Sequence, residues 1–568
     1  MTERHTVTDT FDTVTRPAPH RTHDVLNQSA PRVDVDEYAL NPVLREAVER
    51  HDGAWGHGEL SEIGALVGTA QFQHDADLAN VVTPELHAFD RWGNRIDEVE
   101  YHPAYHRIMA AAIGHGAHTR SWADPRPGSN VVRAAAFMMF GQVEAGHACP
   151  VSMTHAVIPS LELQPDVAAR WVPRALSRTY EPDLGTPDKP SAIFGMSMTE
   201  KQGGSDVRAN TTVAVPAGRG GPGQDYLLTG HKWFCSAPMS DAFLVLAQAT
   251  GAAGEGLSCF LVPRVLPDGT RNVFRIQRLK DKLGNKSNAS SEIELDGTVA
   301  TMVGEPGRGV RTIIEMVART RLDCILGSAA GMRQSIAEAV WHARHRSAFG
   351  GVLVDQPAMT GVLADLALES EAATVTAIRL ARAHDEDASD QDKAFRRLAT
   401  AVAKYWICKR GPHHAYEALE CLGGNGYTEA FPLARRYREQ PVMAVWEGSG
   451  NVIALDVLRA MVREPESVAA FDAEVDLARG SNATLDAHLD AVRRLLGEVA
   501  TLDAAGAQAR ARVVVEAMAL ALEASLLVRY SPAAVSDAFV AARLGPDRGV
   551  EYGALPTGLD LGAVLARA

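Results

Sequence analysis

The chain has 568 residues, which at roughly 150 residues per domain corresponds to about three or four domains. Hydrophobic residues form 46% of it and charged residues 22%, values that exclude global disorder and collagen-like repeats. The formal net charge of -14 argues against a surface that is basic throughout, although a single local patch for nucleic acid is compatible with it. Neither an apolar run of membrane-spanning length nor a secretory leader is found, so we expect a soluble cytoplasmic protein without a membrane partner.

The cysteines and histidines do not have the spacing of metal ligands. Six cysteines are scattered along the chain with no Cys-x-x-Cys pair, so we predict buried, reduced thiols and no disulfide framework. His342 and His345 are three residues apart and His413 and His414 are adjacent, but neither pair has a third ligand at metal-binding spacing. We therefore predict no bound metal.

The predicted elements begin with a polar N-terminal arm over residues 1–35, in which three prolines discourage regular structure and favour flexibility. Residues 36–190 are predicted to form a helical domain. Apolar residues recur there at steps of three and four, for example over 41–51 and 130–141.

The period changes over residues 191–303, where short segments rich in β-forming residues are separated by Gly or Pro turns. Asp268-Gly269 and Asp296-Gly297 are dipeptides typical of hairpin turns. This region is therefore predicted to be a small β domain, with strands over 226–228, 243–247, 258–262, 274–279 and 291–295.

Helical periodicity returns over residues 304–462 and continues over an Ala- and Leu-rich segment, 463–568. We predict a helical bundle followed by an extra C-terminal helical domain. The order along the chain is thus helices, a β domain, a bundle and more helices.

One glycine-rich segment, residues 218–223, matches the dinucleotide-binding pattern G-x-G-x-x-G. That pattern needs a strand before it and a helix after it. Here Pro216 precedes the segment, Pro222 lies inside it, and a strand-like run follows. We therefore predict a hairpin loop that does not bind phosphate.

Three other segments have the composition of a cofactor site. Residues 198–206 combine hydroxyls with adjacent glycines, which suits either phosphate binding or an ordinary turn. Residues 232–236 carry aromatic side chains and end in a serine, which suits either stacking of a flat cofactor or a core strand. Glu447 lies between Trp446 and two glycines near an apolar run, so a raised pKa and a role as base are expected, the alternative being a surface loop.

In this order, these segments resemble motifs of the acyl-CoA dehydrogenase family over about residues 40–460. TEKQGGSD (199–206) resembles the family's TEPxAGSD, KWFCS (232–236) its KxWIT, and WEGS (446–449) its YEGT.

Two further motifs extend the resemblance. RSAFG (346–350), followed by Gln356, resembles RxxFG…Q, and LGGNGY (422–427) resembles LGGxGY. Finer features, including LKDKLGNKSNAS (279–290) and the extra C-terminal segment, resemble the AidB branch of the family, the proteins of the bacterial adaptive response to DNA alkylation.

The resemblance implies a fold that is mainly α with a small β domain: an N-terminal helical domain, a middle β-barrel, a C-terminal four-helix bundle and an extra C-terminal helical domain. It also implies FAD, held in a homotetramer that is a dimer of dimers. By motif, the residues around the flavin and its ribityl–phosphate arm would be Met198, Thr199, Gly204, Ser205, Phe234, Cys235, Ser236, Trp446, Ser449 and Asn451. The residues that would reach the adenosine part of FAD in a neighbouring subunit would be Arg346, Phe349, Gln356, Gly423 and Gly424.

The chemistry implied by the resemblance is acyl-CoA dehydrogenation. Glu447 would remove the proton next to the thioester carbonyl while the β-hydride passes to flavin N5, with Arg321 near the base. The main-chain N–H of Glu447 and a ribityl hydroxyl would stabilise the enolate-like charge. Because Trp446 stands beside the base and Phe234 replaces the motif tryptophan, we expect a narrow acyl channel and weak turnover of short branched acyl-CoA.

The same resemblance implies an alternative, a DNA-binding protective protein of the alkylation-damage response whose dehydrogenase activity is vestigial. Residues 464–568 hold nine arginines, no lysine and fifteen acidic residues, a balance unfavourable for double-stranded DNA. The predicted contact is a local patch, the alternative being a solvated helix surface. Its residues are Arg493, Arg494, Arg510 and Arg512.

Overall fold

The structure, a computed structural model, describes residues 22–568. Most of the predicted N-terminal arm, residues 1–21, therefore lies outside the described residues. Within residues 22–190, the structure contains nine α-helices and one β-hairpin, namely α1 (Pro42–Arg50), α2 (His57–Val67), α3 (Ala70–Val81), β1 (Glu85–Phe89), β2 (Arg95–Glu100), α4 (Pro103–Gly114), α5 (Arg120–Ala123), α6 (Ser129–Val143), α7 (Ala148–Ala156), α8 (Ile158–Glu162) and α9 (Pro165–Ala175).

Residues 22–35, the described part of the predicted arm, pack against the rest of the protein. This packing differs from the flexible arm that was predicted. Trp341 donates a hydrogen bond to the carbonyl of Ala30 at 2.8 Å. Asn27 donates to the carbonyl of Ser347 at 2.8 Å, and Arg32 forms a buried ion pair with Glu37. Although residues 22–31 contain no helix or strand, such contacts fix an irregular backbone.

The β1–β2 hairpin was not predicted, because residues 36–190 read as helical. The strands are antiparallel, with Glu85 opposite Glu100, and Asp90 accepts hydrogen bonds from main-chain N–H groups of the turn. Gly93 adopts a left-handed φ of 85° there, which suits glycine. The alternation of side chains along β2, one buried and the next more exposed, is the signal that could have identified it.

The middle region is a β domain whose strands close on themselves. The strands are β3 (Phe194–Ser197), β4 (Val213–Pro216), β5 (Asp225–Ser236), β6 (Ala242–Ala249), β7 (Gly256–Pro263), β8 (Arg275–Leu279) and β9 (Ser290–Val303). Their order is β3-β6-β4-β5-β9-β7, with β7 also paired to β6 and β8 to β9. The additional pairing makes a closed barrel, as the resemblance implied.

Two turn predictions in this domain have different outcomes. Residues 218–223 do connect antiparallel β4 and β5, so the glycine-rich segment is a hairpin loop. The predicted hairpin turn at Asp296-Gly297 is wrong, because β9 continues through both residues. Gly297 instead forms a bulge opposite Leu228 and Thr229, with a φ of 71°, which places an extra residue in one strand of the pair.

Helices of 5 to 37 residues form most of the rest of the chain. They are α10 (Gly309–His345), α11 (Pro357–Ala383), α12 (Asp390–Glu420), α13 (Pro432–Met443), α14 (Gly450–Arg463), α15 (Pro465–Asp476), α16 (Ala483–Ala500), α17 (Ala504–Tyr530), α18 (Ala533–Leu544) and α19 (Leu561–Leu565), with a short hairpin, β10 (Ser347–Ala348) and β11 (Gly351–Val352), between α10 and α11. Several of these helices have an N-cap side chain that accepts a hydrogen bond from a main-chain N–H group of the first turn. These N-cap residues are Ser389 in α12, Asn482 in α16 and Asp503 in α17.

The extra C-terminal helices are fastened to the bundle through buried charges. Helix α17 packs against α11, α12 and α14. Glu369 of α11 accepts hydrogen bonds from Arg410 of α12 at 2.9 Å and from Arg543 of α18 at 2.8 Å. Burial alone would raise the pKa of Glu369, but the two guanidinium groups lower it to about 2. The extra helices therefore share a charged interior with the bundle.

Membrane-spanning helices, metal clusters and disulfides were predicted to be absent, and the structure bears on each of them over the residues that it describes. Over residues 22–568, no helix is both long and apolar enough to cross a membrane. In the same range, no cluster of three or more His, Cys, Asp or Glu side chains could hold a metal ion. All six cysteines are free thiols; five are buried and Cys149 is partly exposed.

Candidate active site

The first two predicted segments are joined by a fully buried ion pair. Glu200 of the TEKQGGSD segment pairs with Lys232 of β5 at 2.8 Å, and neither side chain is exposed to solvent. Beside them, the main-chain N–H of Trp233 donates to the carbonyl of Thr199 at 2.8 Å. Two segments separated by some thirty residues are thus held side by side.

Glu200 has a full set of hydrogen-bond donors. Its carboxylate accepts from the main-chain N–H of Thr211 at 2.7 Å and from the hydroxyl of Thr212 at 2.6 Å. Burial would raise the pKa of Glu200, but Lys232 and these donors bring it far below the usual range. The structural role of this pair was missed, although a lysine in a strand that also carries buried apolar side chains was a signal for a buried partner.

The predicted flavin-contacting residues of these segments are at least partly exposed, with one exception. Met198, Thr199 and Ser236 are partly exposed, Gly204 and Ser205 are exposed, and Phe234 is 50% exposed. The exception is Cys235, whose side chain is fully buried in the core, so only its main chain can line a cofactor. A bulge between Lys232 and Cys235 sets which side chains of β5 face outward.

Cys149 lies beside the second segment, and sequence reasoning missed this position. Burial raises the pKa of its thiol to about 11, while Lys282 and hydrogen bonds with Asn288 and Ser236 lower that pKa. The carboxylate of Glu447 raises it further. The side chain of Cys149 packs against the apolar cluster that contains Ala237, the residue after Ser236.

Glu447 is held in a constrained main-chain conformation. Its φ is 56°, a left-handed value that is costly for a residue other than glycine. The Nε of Arg321 donates to the carbonyl of Glu447 at 3.2 Å, and the Nζ of Lys404 donates to the carbonyl of Gly448 at 2.5 Å. Arg321 is itself fixed by Asp456 at 2.7 Å. These contacts fix the main chain from which the Glu447 side chain extends.

The surroundings of Glu447 suit a proton acceptor. Burial raises the pKa of its carboxyl group, opposed by the charge of Arg321, a hydrogen bond with Thr320 and the charge of Lys404. Trp446 packs against a small apolar cluster of Cys324, Cys408 and Met443. An apolar wall of this kind excludes water and favours a base with a pKa above the ordinary range of a carboxylate.

The residues after Glu447 begin helix α14 and lie among cations. Ser449 is its N-cap residue, and its side chain accepts no capping hydrogen bond. Asn451 accepts a hydrogen bond from the Nε of Arg512 at 2.8 Å. A Cβ on Gly450 would lie 2.8 Å from Cε of Lys409. A helix start with unused N–H groups, a free hydroxyl and nearby cations fits a phosphate group, so the residues present fit the phosphate arm of FAD.

The predicted adenosine-contacting residues form a second surface. Phe349 is 98% exposed at the tip of the β10–β11 hairpin, next to Arg346 and near Gln356, whose amide donates to the carbonyl of Ala348 at 2.8 Å. The N-terminal segment connects this hairpin with Gly423 and Gly424. Asn27 binds Arg346 and Ser347, and its neighbour Gln28 lies 3.4 Å from Asn425.

The two surfaces are far apart within one chain. Arg321, beside Glu447, and Arg346 are separated by the remaining length of α10, about 36 Å at ~1.5 Å per residue. One chain therefore does not bring both predicted halves of the FAD site together.

The four arginines predicted to contact DNA do not form one free face. Arg493 pairs with Asp472 at 2.9 Å and Asp476 at 2.8 Å, and Arg512 is engaged by Asn451. Arg494 and Arg510 are exposed but lie on different helices, α16 and α17. Arg493 is therefore paired with acidic neighbours, and Arg512 is hydrogen-bonded to a residue of the candidate active site. Neither side chain is free to join the predicted DNA patch.

Comparison with known protein families divides the chain as the motifs do. Residues 27–182 match the adaptive response protein AidB N-terminal domain. Residues 195–298 match the acyl-CoA dehydrogenase middle domain, and residues 307–462 match the acyl-CoA dehydrogenase C-terminal domain.

Two curated relatives align over most of their length. AidB of Escherichia coli (strain K12) is 46% identical over 447 residues, which cover 78% of this chain and 81% of that protein. Acyl-CoA dehydrogenase family member 11 of Caenorhabditis elegans is 29% identical over 468 residues, covering 80% of this chain and 74% of that protein.

Two solved structures have the same fold over nearly the whole chain. Caenorhabditis elegans ACDH-11 in complex with C11-CoA superposes with a TM-score of 0.85 at 26% identity, covering 97% of both chains. The apo-form of Bd2924 superposes with a TM-score of 0.79 at 28% identity, covering 89% of this chain and 99% of that one. These matches confirm the predicted fold, and the family match confirms the predicted cofactor, because acyl-CoA dehydrogenases are FAD proteins. The chain belongs to the acyl-CoA dehydrogenase family, in its AidB branch.

Proposed function

We propose that the chain is an FAD-dependent acyl-CoA dehydrogenase in which Glu447 removes the α-proton of a thioester. The single observation that supports this most strongly is the setting of Glu447. Arg321 holds its main-chain carbonyl, Lys404 holds the carbonyl of Gly448, and Trp446 packs against an apolar cluster. FAD, when bound, supplies the acceptor for the β-hydride.

The residues of the chain contribute positioning and proton transfer. The carboxylate of Glu447 takes the α-proton, and the main-chain N–H of the same residue is a donor for the developing charge on the thioester oxygen. Arg321 is a positioning residue, since it holds the Glu447 carbonyl and keeps the carboxylate ionised. The Ser236 hydroxyl is 3.2 Å from Ser290 Oγ and is the donor expected to orient the ring edge.

The apolar wall formed by Trp446 and its neighbours supports a narrow acyl site. We expect isovaleryl-CoA to bleach the visible absorbance of the flavoprotein under anaerobic conditions and palmitoyl-CoA to bleach it at least about tenfold more slowly, because each methylene that does not fit costs binding energy. Stopped-flow absorbance with both thioesters measures this. Bleaching by palmitoyl-CoA as fast as by isovaleryl-CoA would contradict the narrow site, and no bleaching by either would contradict the dehydrogenase.

We also propose a homotetramer in which a neighbouring subunit completes the FAD site. Phe349 is 98% exposed and Tyr427 is 85% exposed, and both belong to motifs that the resemblance assigns to the adenosine part of FAD. The length of α10 between Arg321 and Arg346 keeps the hairpin that carries Phe349 away from Glu447 within one chain, which supports contribution from another copy.

Arg512 gives the extra C-terminal helices a role in this site. Replacing Arg512 by alanine releases Asn451 and removes one cation from the start of α14, so we expect FAD affinity to fall about fivefold, an effect of ~1 kcal/mol for one hydrogen-bonded charge. Quenching of FAD fluorescence during reconstitution of the apoprotein measures it. Arg510→Ala is the matched control on the same helix, and an Arg512→Ala protein with unchanged FAD affinity would contradict the role.

The alternative function, protection of DNA, stays a prediction. Because the C-terminal region is acidic overall and two of the four arginines are engaged, we expect no mobility shift of a short DNA duplex, even at about 50 mM salt, where phosphate contacts are strong. A shift that weakens as salt rises, and that is lost in an Arg494→Ala, Arg510→Ala double variant, would support the DNA-binding alternative instead.

A further inference from the structure

The described part of the N-terminal arm lies on the second surface, which carries the residues predicted to contact adenosine. Asn27 pairs there with the main chain of Ser347. Its amide donates to the Ser347 carbonyl at 2.8 Å, and its side-chain oxygen accepts from the Ser347 N–H at 2.7 Å. One side chain thus binds both main-chain groups of a residue in β10, as a neighbouring strand would.

The two residues after Asn27 continue this contact. The side chain of Gln28 lies 3.4 Å from that of Asn425 in the LGGNGY loop, and the hydroxyl of Ser29 lies 3.1 Å from Nδ1 of His342 near the end of α10. Three consecutive residues of the arm therefore bridge the β10–β11 hairpin, the LGGNGY loop and α10. They join the two motifs that are predicted to reach adenosine.

The arm is ordered at a conformational cost that its own burial does not offset. Asn27 has a left-handed φ of 56°, which asparagine tolerates better than most residues other than glycine. Residues 22–28 are exposed and contain no helix or strand. Because fixing such a backbone costs entropy, the hydrogen bonds to Ser347 and its neighbours account for the order of this segment.

Arg346, next to Ser347, is held in a way that suits an anionic ligand. Its guanidinium group donates to the main-chain carbonyl of Asn27, and among residues 22–568 it pairs with no carboxylate. A guanidinium group has five N–H donors. The neutral carbonyl therefore orients the group while leaving its charge uncompensated and most of its donors available, as binding of a phosphate requires.

Apolar side chains accompany this arginine on the same surface. Leu26, which precedes Asn27, is 76% exposed, and Phe349, two residues after Ser347, is 98% exposed. Exposed apolar side chains grouped on one surface mark a site that another molecule covers. With Arg346 in the same group, the covering molecule is expected to present both a flat apolar face and a phosphate.

We propose that Asn27 is a positioning residue for FAD, which holds Arg346 and the β10–β11 hairpin in the arrangement that receives the adenosine diphosphate part of a cofactor bound in a neighbouring copy of the chain. This inference rests on the proposed function, which places that part of FAD on the second surface. Asn27 itself needs no contact with the cofactor, because it acts through Arg346 and Ser347.

The test separates the two halves of the cofactor. FMN carries the flavin half of FAD and ADP carries the adenosine half, so the affinity of the full-length apoprotein is measured for FAD directly and for each half by competition with FAD. Asn27→Gly removes both side-chain hydrogen bonds and allows the same left-handed main chain. We expect it to weaken binding of FAD and ADP about 3- to 10-fold, the effect of one or two lost hydrogen bonds, and to leave the affinity for FMN unchanged.

Asn94→Gly is the matched control. It removes another exposed asparagine side chain, which donates to Asp90 in the turn of the β1–β2 hairpin, and it should change none of the three affinities. Unchanged FAD affinity in Asn27→Gly, or an affinity for FMN that falls as much as that for FAD, would overturn the proposal. These measurements need no thioester, so a protein that gives the expected affinities but is bleached by no acyl-CoA would contradict the proposed dehydrogenase and not this inference.

Discussion

Replacing Glu447 by glutamine is expected to slow acyl-CoA-dependent bleaching of the flavoprotein by about 10²- to 10⁴-fold, the usual contribution of a positioned base. The amide has nearly the shape of the carboxylate but cannot accept the α-proton. Because the main-chain contacts of Glu447 with Arg321 involve its carbonyl, they survive the substitution, and FAD content is expected to stay the same. Anaerobic stopped-flow absorbance with isovaleryl-CoA measures the rate.

The pH profile provides the control for this prediction. Only the ionised carboxylate is a base, and burial raises the pKa of Glu447 above its ordinary value of 4.5. In the unmodified protein the bleaching rate should therefore fall as pH drops through that raised pKa and be constant above it. The Glu447→Gln protein should lack this acid limb; a residual rate with the same pH dependence would show that another group is the base.

Replacing Lys232 by methionine is expected to have the largest effect on stability. The substitution leaves the Glu200 carboxylate fully buried without its cation, and breaking a buried pair from one side costs about 3–5 kcal/mol. Because the same pair holds the TEKQGGSD segment against β5, FAD content should fall together with stability. Differential scanning calorimetry and the absorbance ratio of flavin to protein measure the two effects.

A double substitution separates charge from packing. Glu200→Gln combined with Lys232→Met removes both buried charges and leaves an amide whose single oxygen accepts hydrogen bonds from either Thr211 or Thr212, which donate to different oxygens of the carboxylate. Part of the lost stability should therefore return. Lys201→Met, at an exposed neighbouring position, should leave the unfolding transition unchanged. If the double variant were as unstable as Lys232→Met alone, the unpaired charge would not be the cause.

The features set by local sequence were predicted well. Helical periodicity indicated α6, α10 and α12, and β-forming runs between turns indicated the core of β5, β6 and β7. The motif order led to the family, which the comparisons confirm. Such features depend on residues close together in the chain, where side-chain periodicity is decisive.

Features that depend on distant residues were not predicted. Asp296-Gly297 has the composition of a hairpin turn, but pairing with β5 along its whole length keeps β9 continuous and turns Gly297 into a bulge. Likewise, Arg512 was assigned to DNA on its charge alone, whereas the packing of α17 on α14 brings it to Asn451. Cys149 gave no sequence signal, since its packing against the barrel arises only when α7 meets β3.

The central claim is that the flavin ring lies between the hydroxyl of Ser236 and the carboxylate of Glu447. An experimental structure of the protein purified with FAD tests it most directly. We predict N5 of the ring within about 3 Å of Ser236 Oγ, a normal hydrogen-bond distance, with the Glu447 carboxylate across the substrate space. A ring bound elsewhere, with protein side chains filling the space between these two residues, would contradict the account.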